Sequence, residues 1–248
     1  MEPVYRQTFQ ITDIHLDCFG RVKPSALLYF AQEVSGQHAA LLGSDWETLS
    51  GKHLFWAILR HHIQVERLPE AGQTITLETW PMPTTRVAYP RATVAYDAQG
   101  NVLFRTAAIW VLMNTQTRSM VLPGRSGIEI AGTLRGTELA APGSIAPAVL
   151  CNHICRTVGY TELDQNRHMN NTRYLDWVDD LLPSAFHQVH PVREFTVCYL
   201  SEAREGQQLH LTWELTEDAC LHVEALRDKA DTPDQRERVF AAQIQFSP

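Results

Sequence analysis

The sequence predicts an α+β chain in which one plan, a helix followed by a run of antiparallel strands, is used twice. Three observations carry this prediction. Apolar residues recur at helical spacing in two stretches, and each stretch is followed by strand-like runs punctuated by Pro and Gly turns. The two stretches also align in register: Asp17, Val22, Leu28 and Phe30 share one offset with Asp164, Met169, Leu175 and Trp177, and Glu70-Ala-Gly-Gln-Thr-Ile-Thr-Leu77 lies on Arg204-Glu-Gly-Gln-Gln-Leu-His-Leu211. Between the copies, residues 116–150 are dominated by Pro, Gly, Ala, Ser and Thr without a sustained period, the composition of a linker carrying at most one short helix. The expected organisation is a first unit over 1–115, the linker 116–150 and a second unit over 151–248.

Taken in order, residues 5–11 alternate weakly, and a polar turn around Gly20 leads to Pro24. From there Leu27, Phe30, Ala31, Val34, His38, Leu41 and Leu42 keep helical spacing, with Pro24 suited to the first turn and Gly43 to the C-terminal cap. Residues 26–31 are almost continuously apolar, so this helix is expected to be covered on most sides. Strands are predicted over 54–66, 74–80, 87–96 and 102–113. In the second copy a strand over 152–160 precedes a helix over 172–182, which Pro183 ends, and strands follow over 193–200, 207–217, 220–227 and 239–246. The first copy carries extra residues after its helix, around Gly43 to Gly51.

Composition narrows the function classes. Lys and Arg number 21 against 28 Asp and Glu in 248 residues, a net charge of −7 that gives no sequence-wide footprint for nucleic acid or anionic lipid. No apolar run approaches the ~18 residues that span a bilayer, and residues 1–10 have no secretory pattern, so a cytoplasmic protein is expected. Five scattered cysteines argue against a disulfide framework.

Residues 164–177 carry the strongest chemical signal. Asp164, Asn166 and His168 stand at i, i+2 and i+4 in a turn, and Asn170 or Asn171 is expected to cap the following helix. A carboxylate, an amide and an imidazole would then converge before a helix N-terminus, whose amides polarise a carbonyl and stabilise an oxyanion. Singly, each of these residues is ordinary in a turn. Together they occur in one copy only, because Phe19 and Arg21 stand where Asn166 and His168 would be. Cys151-x-His153-x-Cys155 would point three soft ligands one way from a strand. A fourth ligand is not apparent, so buried strand cysteines are the simpler account and no metal is expected. Nucleophile-elbow, phosphate-loop and dinucleotide motifs are missing from the sequence.

Asp164-x-Asn166-x-His168-x-Asn170-Asn171-x-x-Tyr174 resembles the signature of the acyl-acyl carrier protein thioesterases. Trp56-Ala-Ile-Leu-Arg60 with Ile63-Gln-Val65, Thr79-Trp80, Trp110-Val-Leu-Met-Asn114 and Thr117-Arg118 resemble that family's first-half blocks, and Tyr199-Leu-Ser-Glu202-Ala its segment with a catalytic glutamate. The resemblance implies two tandem hot-dog folds, each a long helix wrapped by an antiparallel β-sheet. It also implies a cofactor-free hydrolase of fatty acid biosynthesis that releases free fatty acid from acyl carrier protein. Asp164, Asn166, His168 and Glu202 become the catalytic set. Ala203 stands where plant members have a cysteine, which removes a cysteine nucleophile there, and without a transit-type segment the sequence is most similar to a bacterial member.

On that reading the amides around Asn170 and Asn171 receive the thioester carbonyl. Leu27, Phe30, Trp46 and Trp56 of the first copy line the acyl chain, with Phe19 and Leu68 replacing proton-moving groups. Arg167 and Arg173 meet the acidic carrier. Acyl-coenzyme A in place of the carrier, a non-catalytic acyl-binding module, and a second copy of the chain as partner stay open. So does the choice between direct carboxylate attack and activated water.

Overall fold

The computed structural model describes residues 3–229, 232 and 235–248. The chain divides into two compact units, residues 1–142 and 143–248. The first opens with β1 (Tyr5–Gln10) and a 3-10 turn at Asp13–His15, then α1 (Pro24–Leu41) and α2 (Trp46–Gly51). Strands β2 (Leu54–Val65), β3 (Thr74–Pro81), β4 (Tyr89–Tyr96) and β5 (Val102–Asn114) follow, with the short β6 (Met120–Val121) and α3 (Pro123–Ser126). They form an antiparallel sheet in the order β1-β3-β4-β5-β2, with β6 paired to β5.

Helix α1 packs on β1 and β3, and Leu27, Leu28, Phe30 and Val34 are completely buried, as its near-continuous apolar sequence requires. Gly43 follows it with φ +72°, the left-handed conformation that favours glycine after a helix. The extra residues behind α1 form α2, which the periodicity does not announce. Asp45 caps it by accepting the Thr48 N–H at 2.7 Å.

The second unit has β7 (Asn152–Thr157), a 3-10 turn at Tyr160–Glu162, α4 (Arg173–Asp179), α5 (Ser184–Val189), β8 (Val192–Tyr199), β9 (Gln208–Leu215), β10 (Cys220–Asp228) and β11 (Arg236–Phe246). Its antiparallel sheet runs β8-β11-β10-β9-β7. The helix expected over 172–182 is shorter than predicted: α4 has seven residues, loosens into a turn, and gives way to α5 after Pro183. Among the described residues, only the first unit therefore carries a long helix.

The duplication reaches individual hydrogen bonds. Leu16 bridges Val22 as Leu163 bridges Met169. Gly72 N–H donates to Ile11 O at 2.9 Å, and Gly206 N–H to Val158 O at the same distance. Glu70 N–H finds Gln73 Oε1 as Arg204 N–H finds Gln207 Oε1, again both at 2.9 Å.

Residues 123–142, inside the stretch expected as linker, lie against the first sheet. Tyr89 Oη bonds Ser126 Oγ at 2.8 Å and donates to Ile128 O at 3.1 Å, while Trp80 Nε1 donates to Glu138 Oε1 at 3.0 Å. Gly132 crosses so near the Met82 backbone that a Cβ there would fall 2.3 Å from it. No helix among the described residues is long and apolar enough to cross a membrane.

Candidate active site

The turn holding the three sequence-predicted polar residues is folded by its own backbone. Asp164 N–H donates to His168 O at 2.8 Å, and Arg167 N–H to Asp164 O at 3.0 Å. The Asp164 carboxylate fills the loop: Oδ1 accepts the N–H groups of Asn166 at 2.8 Å and His168 at 3.2 Å, and Oδ2 takes Asn166 Nδ2 at 3.4 Å. Arg167 closes it at φ +62°. In the first copy Asp17 Oδ1 accepts from Phe19 and Arg21 N–H at 2.8 and 2.9 Å, and Gly20 closes the loop at φ +75°. A carboxylate at this position shapes the turn in both halves, with or without a histidine.

His168 then aims its ring out of the loop at Glu202, with Nε2 3.1 Å from Oε2. The histidine side chain is 12% exposed and the glutamate 35%, so the pair is partly shielded yet open on the carboxylate side. Arg204 Nη2 lies 3.9 Å from the same oxygen. Glu202 belongs to the loop between β8 and β9, which is tied down twice. Met169 N–H donates to Ala203 O at 2.8 Å, joining this loop to the His168 turn. Arg227 donates through Nη1 to Glu202 O and to Gln207 Oε1, both at 2.7 Å, and through Nη2 to Ser201 Oγ at 3.1 Å. Sequence reasoning missed Arg227. Its one signal was an arginine closing an otherwise apolar strand pattern, and nothing local links it to residue 202. Ala203 is buried and offers no nucleophile.

The expected cap is displaced. Thr172, not Asn170 or Asn171, occupies the N-cap position of α4, while Asn170 Oδ1 accepts both Thr172 N–H and Thr172 Oγ–H at 2.9 Å. Asn171 O accepts the Tyr199 hydroxyl at 2.9 Å. Each asparagine thus fixes the backbone between the His168 turn and α4. Arg167 is exposed, and Arg173 pairs with Asp176 at 3.0 Å.

In the first copy the turn closes on itself: Arg21 pairs with Asp17 at 3.3 Å and lies over the Phe19 ring. That unit instead holds a cavity of about 120 Å³, walled by Trp56, Tyr89, Trp110 and Ile130, with α1 supplying Ser35 and Ala39 and Arg91 on its border. Of Leu27, Phe30, Trp46 and Trp56, expected to line the acyl chain, Trp56 lines this cavity. Leu27 and Phe30 lie in the core, Phe30 against Phe9 with ring centroids 5.1 Å apart, and Trp46 is 52% exposed on α2. Arg91, donating to His38 Nδ1 at 3.0 Å, is pulled down to about 10 by burial.

The cysteines depart from expectation. Cys198 and Cys220 are buried, but Cys151 and Cys155 are exposed because β7 lies at the sheet edge.

Two repeats of a helix-and-sheet unit, with the His168–Glu202 pair of the second standing where the first has Arg21 and Leu68, define a tandem hot-dog protein. The chain belongs to the acyl-ACP thioesterase family: the family's N-terminal domain matches residues 2–122 and its C-terminal domain residues 153–247. Among curated relatives, a chloroplastic dodecanoyl-[acyl-carrier-protein] hydrolase of Umbellularia californica is 28% identical over 83% of this chain and 58% of its own length. A chloroplastic oleoyl-acyl carrier protein thioesterase of Arabidopsis thaliana is 23% identical over 81% and 61%. The chain thus spans little more than half the length of these plant proteins. The fold matches the crystal structure of an acyl-ACP thioesterase from Bacteroides thetaiotaomicron with a TM-score of 0.84 at 22% identity, covering 99% of this chain and 98% of that one. The 12:0-ACP thioesterase from Umbellularia californica gives 0.83 at 23%, covering 100% and 98%.

Proposed function

We propose that this chain hydrolyses fatty acyl thioesters carried on acyl carrier protein, with one active site, in its second half. The observation that carries the proposal is the His168–Glu202 pair, 3.1 Å apart, at positions where the first half has Arg21 and Leu68. Family membership supplies the reaction class. In the reaction the His168–Glu202 pair takes a proton from water and the hydroxide adds to the thioester carbonyl. Asn166 Nδ2 donates to the developing oxyanion, whereas the Asn170 N–H, already given to Glu162 O at 2.8 Å, holds the turn. The C–S bond then breaks and the proton returns to the leaving thiolate. Asp164, with Oδ1 already accepting two N–H groups, holds the turn and positions Asn166 and His168. This favours activated water over attack by Asp164, since a carboxylate oxygen so engaged is a poorer nucleophile.

The apolar cavity beside Trp56 supports an acyl-binding role for the first half, residues 1–115 in the sequence-based division, and the exposed Arg167 supports a contact with the acidic carrier. The deciding experiment is thiol release by the full chain from acyl-carrier protein and from acyl-coenzyme A, with single turnover in ¹⁸O-water. Faster turnover of the carrier substrate, with label in the fatty acid alone, is expected. Preference for coenzyme A overturns the carrier assignment, label in Asp164 or Glu202 overturns activated water, and inertness on both substrates leaves an acyl-binding module.

A further inference from the structure

At the edge of the second sheet, β7 and β9 gather three metal-ligating side chains that the His168 turn does not use. Cys155 pairs directly across the strands with His210, and His153 lies two residues earlier on the same face of β7. His210 Nδ1 stands 3.2 Å from Cys155 Sγ and 3.2 Å from His153 Nε2, and the thiol and His153 Nε2 are 3.6 Å apart. Two imidazole nitrogens and a thiolate at tetrahedral zinc distances lie about 3.3 to 3.6 Å from one another, so the three donors already have the spacing of a coordination face. A separate feature points the same way. The other nitrogen of His210, Nε2, lies 3.2 Å from Asp228 Oδ2, and Asp228 Oδ1 accepts Arg236 Nε at 2.9 Å. A carboxylate behind the ring keeps the proton on Nε2 and turns the Nδ1 lone pair toward Cys155 and His153, the outer support that metal-binding histidines use.

We propose that His153, Cys155 and His210 bind one divalent transition-metal ion, zinc by preference, with Asp228 orienting His210 and the fourth position left to water or an added ligand. One thiolate and two imidazoles suit zinc, cobalt or copper and disfavour magnesium or calcium. The thiol proton is released to solvent as the ion binds. His153 and Cys155 are exposed and Ile154 is 45% exposed, so β7 has little apolar cover on this edge. The ion would clip β7 to β9, and its effect belongs to the stability of that edge; thioester chemistry does not pass through it.

The test uses the reduced, chelator-treated, tag-free full chain. Zinc titrated against a chromophoric chelator should load one ion per chain and raise Tm, and cobalt should give a thiolate charge-transfer band. Cys155→Ser should abolish that band, His210→Ala should weaken zinc binding at least a hundredfold, and Asp228→Asn should weaken it ~10- to 100-fold with the band retained. Cys151→Ser should change none of these. In the unmutated chain, where folding of a variant is not in question, zinc should protect Cys155 from iodoacetamide as read by peptide mapping. Weak or superstoichiometric binding, wild-type affinity in Cys155→Ser, or alkylation of Cys155 unaffected by zinc would each overturn the assignment. The last would leave an exposed thiol beside a His–Asp pair.

Discussion

His168 and Glu202 touch through one nitrogen and one oxygen, so either can be silenced without disturbing the turn that Asp164 holds. His168→Ala and Glu202→Gln should each lower kcat/KM by ~10²-fold or more with the circular dichroism spectrum unchanged. A folded His168→Ala protein with near-wild-type turnover would sink the assignment. Arg167 sits at φ +62° where its twin is Gly20, a conformation that costs a non-glycine residue on the order of 1 kcal/mol. Arg167→Gly should therefore raise stability by up to about 1 kcal/mol while raising KM for the carrier substrate. Loss of stability argues against strain, and an unchanged KM argues against docking. His61, completely buried with Nε2 on Thr106 Oγ1 at 3.0 Å, is held down to about 3 by burial and, less, by the charge of His62. The unfolded chain binds this proton near 6.5 and the native one does not. Its contribution is therefore complete above pH 6.5 and is lost as pH falls toward 3, by at most ~1.4 kcal/mol per pH unit. Urea unfolding at pH 7 and pH 5 should show this loss, and His61→Leu should flatten it.

Short loops matter as much as strands for placing the site. Arg227 braces the loop of Glu202 through a fork that lysine cannot reproduce, so Arg227→Lys should cut kcat roughly tenfold or more with a small change in KM. An effect confined to Tm would reduce Arg227 to a stabiliser. In the first unit, Ala39→Phe should fill the cavity beside Trp56 and shift the acyl-length profile toward shorter chains, since each methylene left unburied forfeits ~0.8 kcal/mol. A profile that keeps its preferred length, with the rate on short substrates as control, removes the cavity from substrate binding. Periodicity found the long elements because burial imposes it: β2, β3, β5 and α1 lie within a residue or two of their predicted spans. It missed α2 and α5 because six-residue helices are too short to show a period, and it overextended α4 because Leu181 and Leu182 look helical although the chain is already turning toward Pro183. The His168 turn was legible from its spacing. Its meeting with Glu202 came from family resemblance alone, because that contact depends on Met169 and Ala203 pairing across a gap in sequence that no local pattern spans.

With a net charge of −7, the proposed function requires that an acidic carrier be met by a local cationic patch against a repulsive background. KM for the carrier substrate should rise with ionic strength, and Arg167→Glu should raise it further; kinetics indifferent to salt would exclude docking through Arg167. At this scale the sequence was most informative, because the duplication shows in the order of elements even where identities are few. What it left hidden was how closely the first turn copies the second, down to which amide each aspartate accepts. That likeness makes the first half a natural chassis for protein engineering. The Asp17 loop already presents positions 19 and 21 on the backbone that aims Asn166 and His168, and residue 68 is the register partner of Glu202. Evolution of a second catalytic centre in this chain would thus start from three side chains, Phe19→Asn, Arg21→His and Leu68→Glu, with a brace for residue 68 still to be built as Arg227 braces Glu202.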